Sequence, residues 1–211
     1  MTVGHDLPMA IILGLDVSTS CTGYCIVDSD IKPDDKGSHI LLIEAIDLSK
    51  GHKTMWEKAD VVLDLFQKIR SENGLDIPVE RVVLEEALLG FRPGMSSAMT
   101  ISALMRFNGI VSYLARNVFE VEPEYIGSAH ARKLCGIKLQ RTAVAGMSQK
   151  EQVFKHMGAN DLKHVGWPLK KSGAVVDWSR DATDAYVIAR SAAINGPIVP
   201  VKKAKKSKKA D

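Results

Sequence analysis

Apolar residues in this 211-residue chain fall into runs of two kinds. Short, nearly continuous runs occur at residues 10–17, 22–28, 39–47, 80–85 and 120–126. Runs of that length, rich in Ile, Val and Leu, predict buried strands. Other apolar positions recur at helical spacing. Met55, Ala59, Val62, Leu63, Phe66 and Ile69 follow a period near 3.6, which predicts an amphipathic helix over 54–72. A longer helix rich in Ala, Ser and Met is predicted at 96–117. Ser128 stands where an N-cap would open a short helix through Leu134. Ser148, with Glu151 three residues on, has the form of a capping box for another. A last helix is predicted over 181–194. Residues 18–21 read as a turn; 28–38, 90–94 and 160–180 carry Gly or Pro and read as loops.

The order is therefore three strands, helix, strand, helix, strand, and then helices. Tight links make the first three strands an antiparallel meander. The two later strands follow helical crossovers and lie parallel to their neighbours. Helices should cover both faces of this mixed five-stranded sheet. That is the order of the ribonuclease H-like α/β fold. One such domain is expected over residues 10–196, after an N-terminal extension at 1–9. Residues 197–211 form a low-complexity tail with six lysines and are expected to be disordered.

Composition sets the class without choosing a function. Hydrophobic content of 45% and charged content of 25% suit a soluble globular domain. No apolar run approaches the ~20 residues needed to cross a bilayer. Met1 to Pro8 lacks the pattern of a secretory signal. Cys21, Cys25 and Cys135 form no CxxC pair or zinc spacing, so packed, reduced thiols in a cytoplasmic setting are expected, in a host's cytoplasm if the protein is phage-encoded. The six methionines between 55 and 157 are expected mostly in the core. The net charge of +3 is unevenly spread. Residues 1–127 hold 11 Lys/Arg against 19 Asp/Glu, whereas 128–171 hold 9 against 2. An acidic half beside a basic half suits a polyanionic substrate. A solvated basic face is the plainer explanation.

Four carboxylates carry the candidate chemistry. Asp16 ends the first apolar run, Glu85 ends the fourth, and Asp181 and Asp184 open the last helix. An unpaired buried carboxylate costs several kcal/mol, so acids at such places are poor core residues. Clustered oxygen ligands suit hard divalent cations. Two such ions about 4 Å apart are the usual apparatus for cutting a phosphodiester bond. Taken singly, Asp181 could be a first-turn acid favoured by the helix dipole, and Glu85 with Glu86 an exposed pair.

At this point the motifs matter. Leu13-Gly14-Leu15-Asp16-Val17-Ser18-Thr19-Ser20 resembles the opening motif of the RuvC family of Holliday-junction resolvases. Val83-Leu84-Glu85-Glu86 resembles its second acidic motif, and Asp181-Ala182-Thr183-Asp184-Ala185 its last. Asn108-Gly109, Pro123 to Ile126, Ala131-Arg132-Lys133 and Gln149-Lys150 also fit, so the resemblance spans about 10–195. It implies an Mg²⁺-dependent endonuclease, with Mn²⁺ able to substitute. Such an enzyme acts as a homodimer, nicks a four-way DNA junction symmetrically and needs no small-molecule cofactor or membrane. By the same resemblance Asp16 bridges two ions, Glu85 ligates one, and Asp181 and Asp184 complete the other shell. Lys150 lies near the scissile phosphate, and Arg132 and Lys133 touch other phosphates.

The chain also departs from that pattern. The family places an aromatic wedge close after the second motif; here Ala87, Leu88 and Leu89 come first, and the first aromatic is Phe91, followed by Arg92. The segment holding Trp167, Lys170, Lys171 and Trp178 is longer than expected. It could serve DNA by stacking and charge, or be a loop anchored by tryptophan. A dimer interface is expected on the long helix through Ser97, Ala98, Ile101, Met105 and Asn108. Other classes stay open. The opening motif also resembles the first phosphate loop of actin-like kinases and ATPases. Those need two domains and a second Gly-rich loop, and give the Asp-x-x-Asp no place. A catalytically inactive nucleic-acid-binding module, or a less specific flap or RNA nuclease, are the others.

Overall fold

The computed structural model of the chain describes residues 10–34, 36–71, 74–86 and 97–196. Strands β1 (Ile11–Asp16), β2 (Cys21–Asp28) and β3 (Ile40–Asp47) precede helix α1 (Met55–Arg70). Then come β4 (Arg81–Glu85), α2 (Ala98–Phe119), β5 (Glu124–Ile126), α3 (Ser128–Leu134), α4 (Thr142–Ala145), α5 (Gln149–Ala159) and α6 (Ser179–Asn195). The sheet order is β3-β2-β1-β4-β5. β1 pairs antiparallel with β2 and parallel with β4. β2–β3 is antiparallel and β4–β5 parallel. This is the mixed ribonuclease H-like sheet that the run order predicts.

Strand periodicity sorts the core into two layers. Leu13, Leu15, Ile26, Val82 and Leu84 face α1 and α2, where Phe66, Phe107, Val111 and Phe119 meet them. Ile12, Cys25, Val27 and Val83 face the other way, toward α3, α5 and α6, against Ala131, Val153, Tyr186 and Ala189. Arg81 ties the sheet edge to the end of α6: its guanidinium bonds Glu124 through two nitrogens, at 2.7 and 2.9 Å, and donates to the Gly196 carbonyl at 2.9 Å.

Local chemistry moves several predicted boundaries. Gly127, not Ser128, takes the N-cap position of α3, and Ser128 is its first residue. β5 is only three residues long because α2 runs on to Phe119 and closes with Glu120 in the left-handed region, at φ 59°. Ser148 caps α5, accepting from the Glu151 amide. The Glu151 carboxylate bonds Arg180 at 2.6 Å. α4 is a single turn that the apolar pattern does not signal. Met157 is buried, but Met99 and Met105 are exposed on α2, against the core expectation. Cys25 is sealed in the core, and all three cysteines are free thiols. Among the described residues no helix is long and apolar enough to cross a membrane.

Helix α6 is buried along most of its length, and two glycines let it settle on the sheet. A Cβ added at Gly14 of β1 would lie 2.5 Å from the Ala185 carbonyl oxygen and 2.8 Å from the Ala189 Cβ. At Gly23 of β2 it would lie 2.1 Å from the Asp181 carbonyl oxygen. Backbone, not a flexible tip, fills that space. Gly14→Ala and Gly23→Ala should therefore each lower stability by about 1–3 kcal/mol or more in thermal or denaturant unfolding. Gly158→Ala, in α5 with open space around it, should be neutral or raise stability by about 0.5–1 kcal/mol. Equal effects at all three would show that the close approach of α6 does not matter.

Candidate active site

The carboxylates meet at one edge of the sheet for topological reasons. β1 and β4 are adjacent and parallel, with Leu15 opposite Leu84, so Asp16 and Glu85 leave the sheet side by side. Ligand sites of open α/β sheets lie at such carboxyl ends. The seating of α6 on Gly14 and Gly23 brings its first turns to the same edge. Asp181 and Asp184, three apart, share one face of that helix. Asp16 and Asp184 are buried, at 8% and 5% exposure.

Three of the acids converge on one cation. Lys150, in the first turn of α5, donates from Nζ to Asp16 Oδ2 at 3.0 Å and to Asp181 Oδ1 at 2.6 Å. Asp184 Oδ2 stands 3.5 Å from the same nitrogen. Arg132 Nη2 faces the other Asp184 oxygen at 3.7 Å. Glu85 is held from two sides: its carboxylate is hydrogen-bonded to the Ser128 side chain, and Asn108 Nδ2 donates to its main-chain carbonyl at 3.3 Å.

Electrostatics register the crowding. Burial, then the charge of Asp16, pushes Glu85 up to about 7, against the opposing Ser128 hydrogen bond. Burial and the charge of Asp16 also push Asp184 up to about 6, although Lys150 and Arg132 pull it down. Burial alone would lower Lys150; Asp16, the hydrogen bond to Asp181, and Asp184 outweigh it and hold the ammonium well above the usual lysine range. Cys21, hydrogen-bonded to Asp181, is pushed up to about 12, chiefly by burial, and is no nucleophile.

The donor set suits a hard divalent cation. All four candidate ligands are carboxylates, and Asp184 Oδ2 is a buried oxygen without a hydrogen-bond partner. Among the described residues, no three His, Cys, Asp or Glu side chains are grouped closely enough to hold a metal ion as they stand. Lys150 Nζ stands at the point on which Asp16, Asp181 and Asp184 converge.

The other predicted residues divide. Arg132 and Lys133 line an open groove of about 360 Å³ with Lys138, Ile137, Leu139 and Gln149, next to the acids. Lys133 is exposed, while Arg132 turns inward to Asp184. Lys170 and Lys171 lie farther along the chain, beside the bridge between Leu169 and Val175, and Lys170 pairs with Asp177 at 2.6 Å. Trp167 packs on Phe154 and Trp178, with ring centroids 5.9 and 6.0 Å apart, so the tryptophans anchor this loop. Phe91 and Arg92 lie outside the described residues. Asn108, expected on the dimer stripe, is buried behind Glu85. Sequence reasoning missed Ser128 as a partner of Glu85. Only the strand register brings the two together: Glu85 pairs with Ile126, and Ser128 follows two residues on.

No protein-family model matches the chain, and no curated protein matches its sequence. Solved structures do match its fold. RuvC from Thermus thermophilus in complex with a Holliday junction substrate superposes with a TM-score of 0.58 at 14% identity, covering 88% of this chain and 93% of that one. Another Thermus thermophilus RuvC structure gives 0.51 at 18% identity, over 87% and 93%. The yeast mitochondrial Holliday junction resolvase gives 0.50 at 12% identity, over 89% and 79%. The likeness to RuvC read from the acidic motifs thus holds at the level of architecture over most of the chain, and the protein has the ribonuclease H-like fold in the form that these resolvases take.

Proposed function

We propose that this protein is a metal-dependent, structure-selective endonuclease that resolves four-way DNA junctions by paired nicking. The observation that carries the reading is the convergence of Asp16, Asp181 and Asp184 on one cationic atom, with Glu85 beside them. That much buried negative charge is poor for stability and suited to holding divalent ions. Two Mg²⁺ ions, with Mn²⁺ as a substitute, would when bound supply activation of a water and stabilisation of the departing 3′ oxygen. The chain's own residues do the rest. Asp16 would serve both ions, Glu85 one of them, and Asp181 and Asp184 the other. Ser128 and Asn108 hold Glu85 in place. Lys150 and Arg132 offer their charge to the scissile phosphate, and Lys133 and Lys138 to the phosphates beyond it. Phe91, Arg92, Lys170 and Lys171 are proposed as further DNA contacts. The junction-bound RuvC neighbour supports branched DNA as the partner.

Paired incision calls for two active sites related by a two-fold axis. The outward face of α2 is the proposed interface. Phe107, Val111, Ala115 and Phe119 face the core, while Met105 and Tyr113 are exposed at 43% and 62%. Gly109 lies between those two with open space above it.

Incubation with Mg²⁺ and a labelled four-way junction, beside a linear duplex and an RNA–DNA hybrid, tests the reading. Selective, symmetric cutting of the junction is expected; full activity in EDTA would exclude the mechanism. Ca²⁺ should support binding without cutting, being larger and looser in geometry.

The acid variants make a sharper prediction. Asp16→Asn, Glu85→Gln, Asp181→Asn and Asp184→Asn should each abolish single-turnover cleavage while junction binding survives. A residual rate above about a tenth of wild type, which is only ~1.4 kcal/mol of barrier, would count against the site. Asp184→Asn should at the same time stabilise the EDTA-treated protein at pH 7, by about 1–3 kcal/mol. The sign follows from its raised pKa: the folded state disfavours the charge, so stability falls as pH rises through about 6, and a neutral amide avoids that loss. A purely structural ion pair would give the opposite sign.

For the dimer, Met105→Glu should yield folded monomers that lose paired incision, seen by sedimentation and by product analysis. A wild-type protein that stays monomeric at micromolar concentration, with and without junction DNA, would remove the dimer and the resolvase reading with it.

A further inference from the structure

Lys150 stands where a divalent ion would be expected to gather the acids. Its ammonium has two hydrogen bonds to carboxylates and a third carboxylate oxygen at 3.5 Å. The side chain is not locked in. It is 46% exposed, on the first turn of α5, and a four-carbon stem gives it reach. α5 itself is fixed from below by Val153 and Met157 in the core, and by the Glu151–Arg180 pair at 2.6 Å. So the helix is held while the lysine tip can move. A single positive charge also leaves the cluster under-neutralised. Three carboxylates face it, Glu85 lies nearby, and one Asp184 oxygen has no hydrogen-bond partner.

We propose that Lys150 is the resident counter-ion of this cluster, that it competes with divalent cations for Asp16 and Asp181, and that a DNA phosphate draws it away. The proposal rests on the nuclease reading above and adds a regulation to it: metal loading is coupled to substrate binding. An ammonium at 2.6–3.0 Å from two carboxylates blocks the space an ion needs to bind both. Carboxylates and a phosphodiester oxygen are equivalent partners for a lysine. The groove lined by Arg132, Lys133 and Lys138 offers a strand of phosphates a path to this edge. Once Lys150 pairs with phosphate, the acids are freed at the moment the substrate arrives. Without DNA or metal, the seated Lys150 partly neutralises the three aspartates. By linkage, the metal must favour DNA binding by the factor with which DNA favours the metal.

Calorimetric titration of the full chain with Ca²⁺, with and without a four-way junction, tests the proposal without cleavage as the readout. Wild type should bind Ca²⁺ weakly alone and about tenfold or more tightly with junction present. Lys150→Met should bind Ca²⁺ about tenfold more tightly without DNA, and the gain on adding DNA should shrink to roughly threefold or less. Lys150→Arg, which keeps the charge, should stay near wild type. In EDTA the Met variant should melt below wild type and recover with Ca²⁺, whereas a merely structural lysine would lower the melting point without raising metal affinity. If the Met variant does not fold, Lys150→Gln takes its place. A wild-type affinity indifferent to DNA overturns the proposal whatever the variants do. So does a folded Met or Gln variant with unchanged or weaker Ca²⁺ affinity. Parallel Mg²⁺ cleavage assays separate the two readings. Junction cutting with no effect of Lys150 on Ca²⁺ affinity sinks the competition and leaves the nuclease. Tighter Ca²⁺ binding in a protein that cuts no DNA sinks the nuclease and leaves the competition.

Discussion

The contact of helix α6 with strands β1 and β2 is the constraint on which the site depends. Glycine at 14 and 23 removes the Cβ atoms that would meet the Ala185 and Asp181 carbonyls. Alanine at 182, 185, 189 and 192 keeps the helix side of the contact small, and all four are fully buried. The consequence is chemical as well as mechanical. A Cβ at position 14 or 23 would push the helix off the sheet and carry Asp181 and Asp184 away from Asp16. Close seating puts all three within reach of one lysine nitrogen. The hydroxyls on the helix are satisfied locally, as where Thr183 donates to the Ser179 carbonyl at 2.8 Å, so burial leaves little unpaired along it.

Like charge is concentrated at the edge. Two carboxyls, half-buried Glu85 and buried Asp184, are pushed toward neutrality by desolvation and by the charge of Asp16. Stability alone would have replaced at least one of them. Sites that violate packing and charge rules while the rest of the fold obeys them are where function is expected. The basic residues follow the same logic on the other side. Arg132 and Lys150 face inward to acids, while Lys133 and Lys138 face the groove.

Much of this was legible in the sequence. Continuous apolar runs marked β1 and β4 as buried strands with helices on both faces, and the end of each run marked Asp16 and Glu85. The i, i+3 spacing of Asp181 and Asp184 put them on one helix face. Less legible was anything set by a partner distant in sequence. Ser128 looked like a cap because Ser is a good one. A strand partner put a carboxylate in front of it, and Gly127 took the cap position. Glu151 completed a capping-box pattern, yet Arg180 lies within 2.6 Å and a charged partner is the stronger attraction. The stripe Ser97, Ala98, Ile101, Met105, Asn108 mixed the two faces of α2. Small residues suit a helix-sheet contact and a helix-helix contact alike, and only the position of Glu85 decides that Asn108 points inward.

The central claim is that four carboxylates from three distant segments hold divalent ions for work on DNA. Anomalous scattering from crystals grown with a four-way junction and Mn²⁺ tests it most directly. The account predicts Mn²⁺ peaks bounded by Asp16, Glu85, Asp181 and Asp184, with the Lys150 ammonium withdrawn from Asp16 and Asp181 toward a phosphate. Anomalous density elsewhere or nowhere, with Lys150 still bridging the aspartates while DNA is bound, would contradict it.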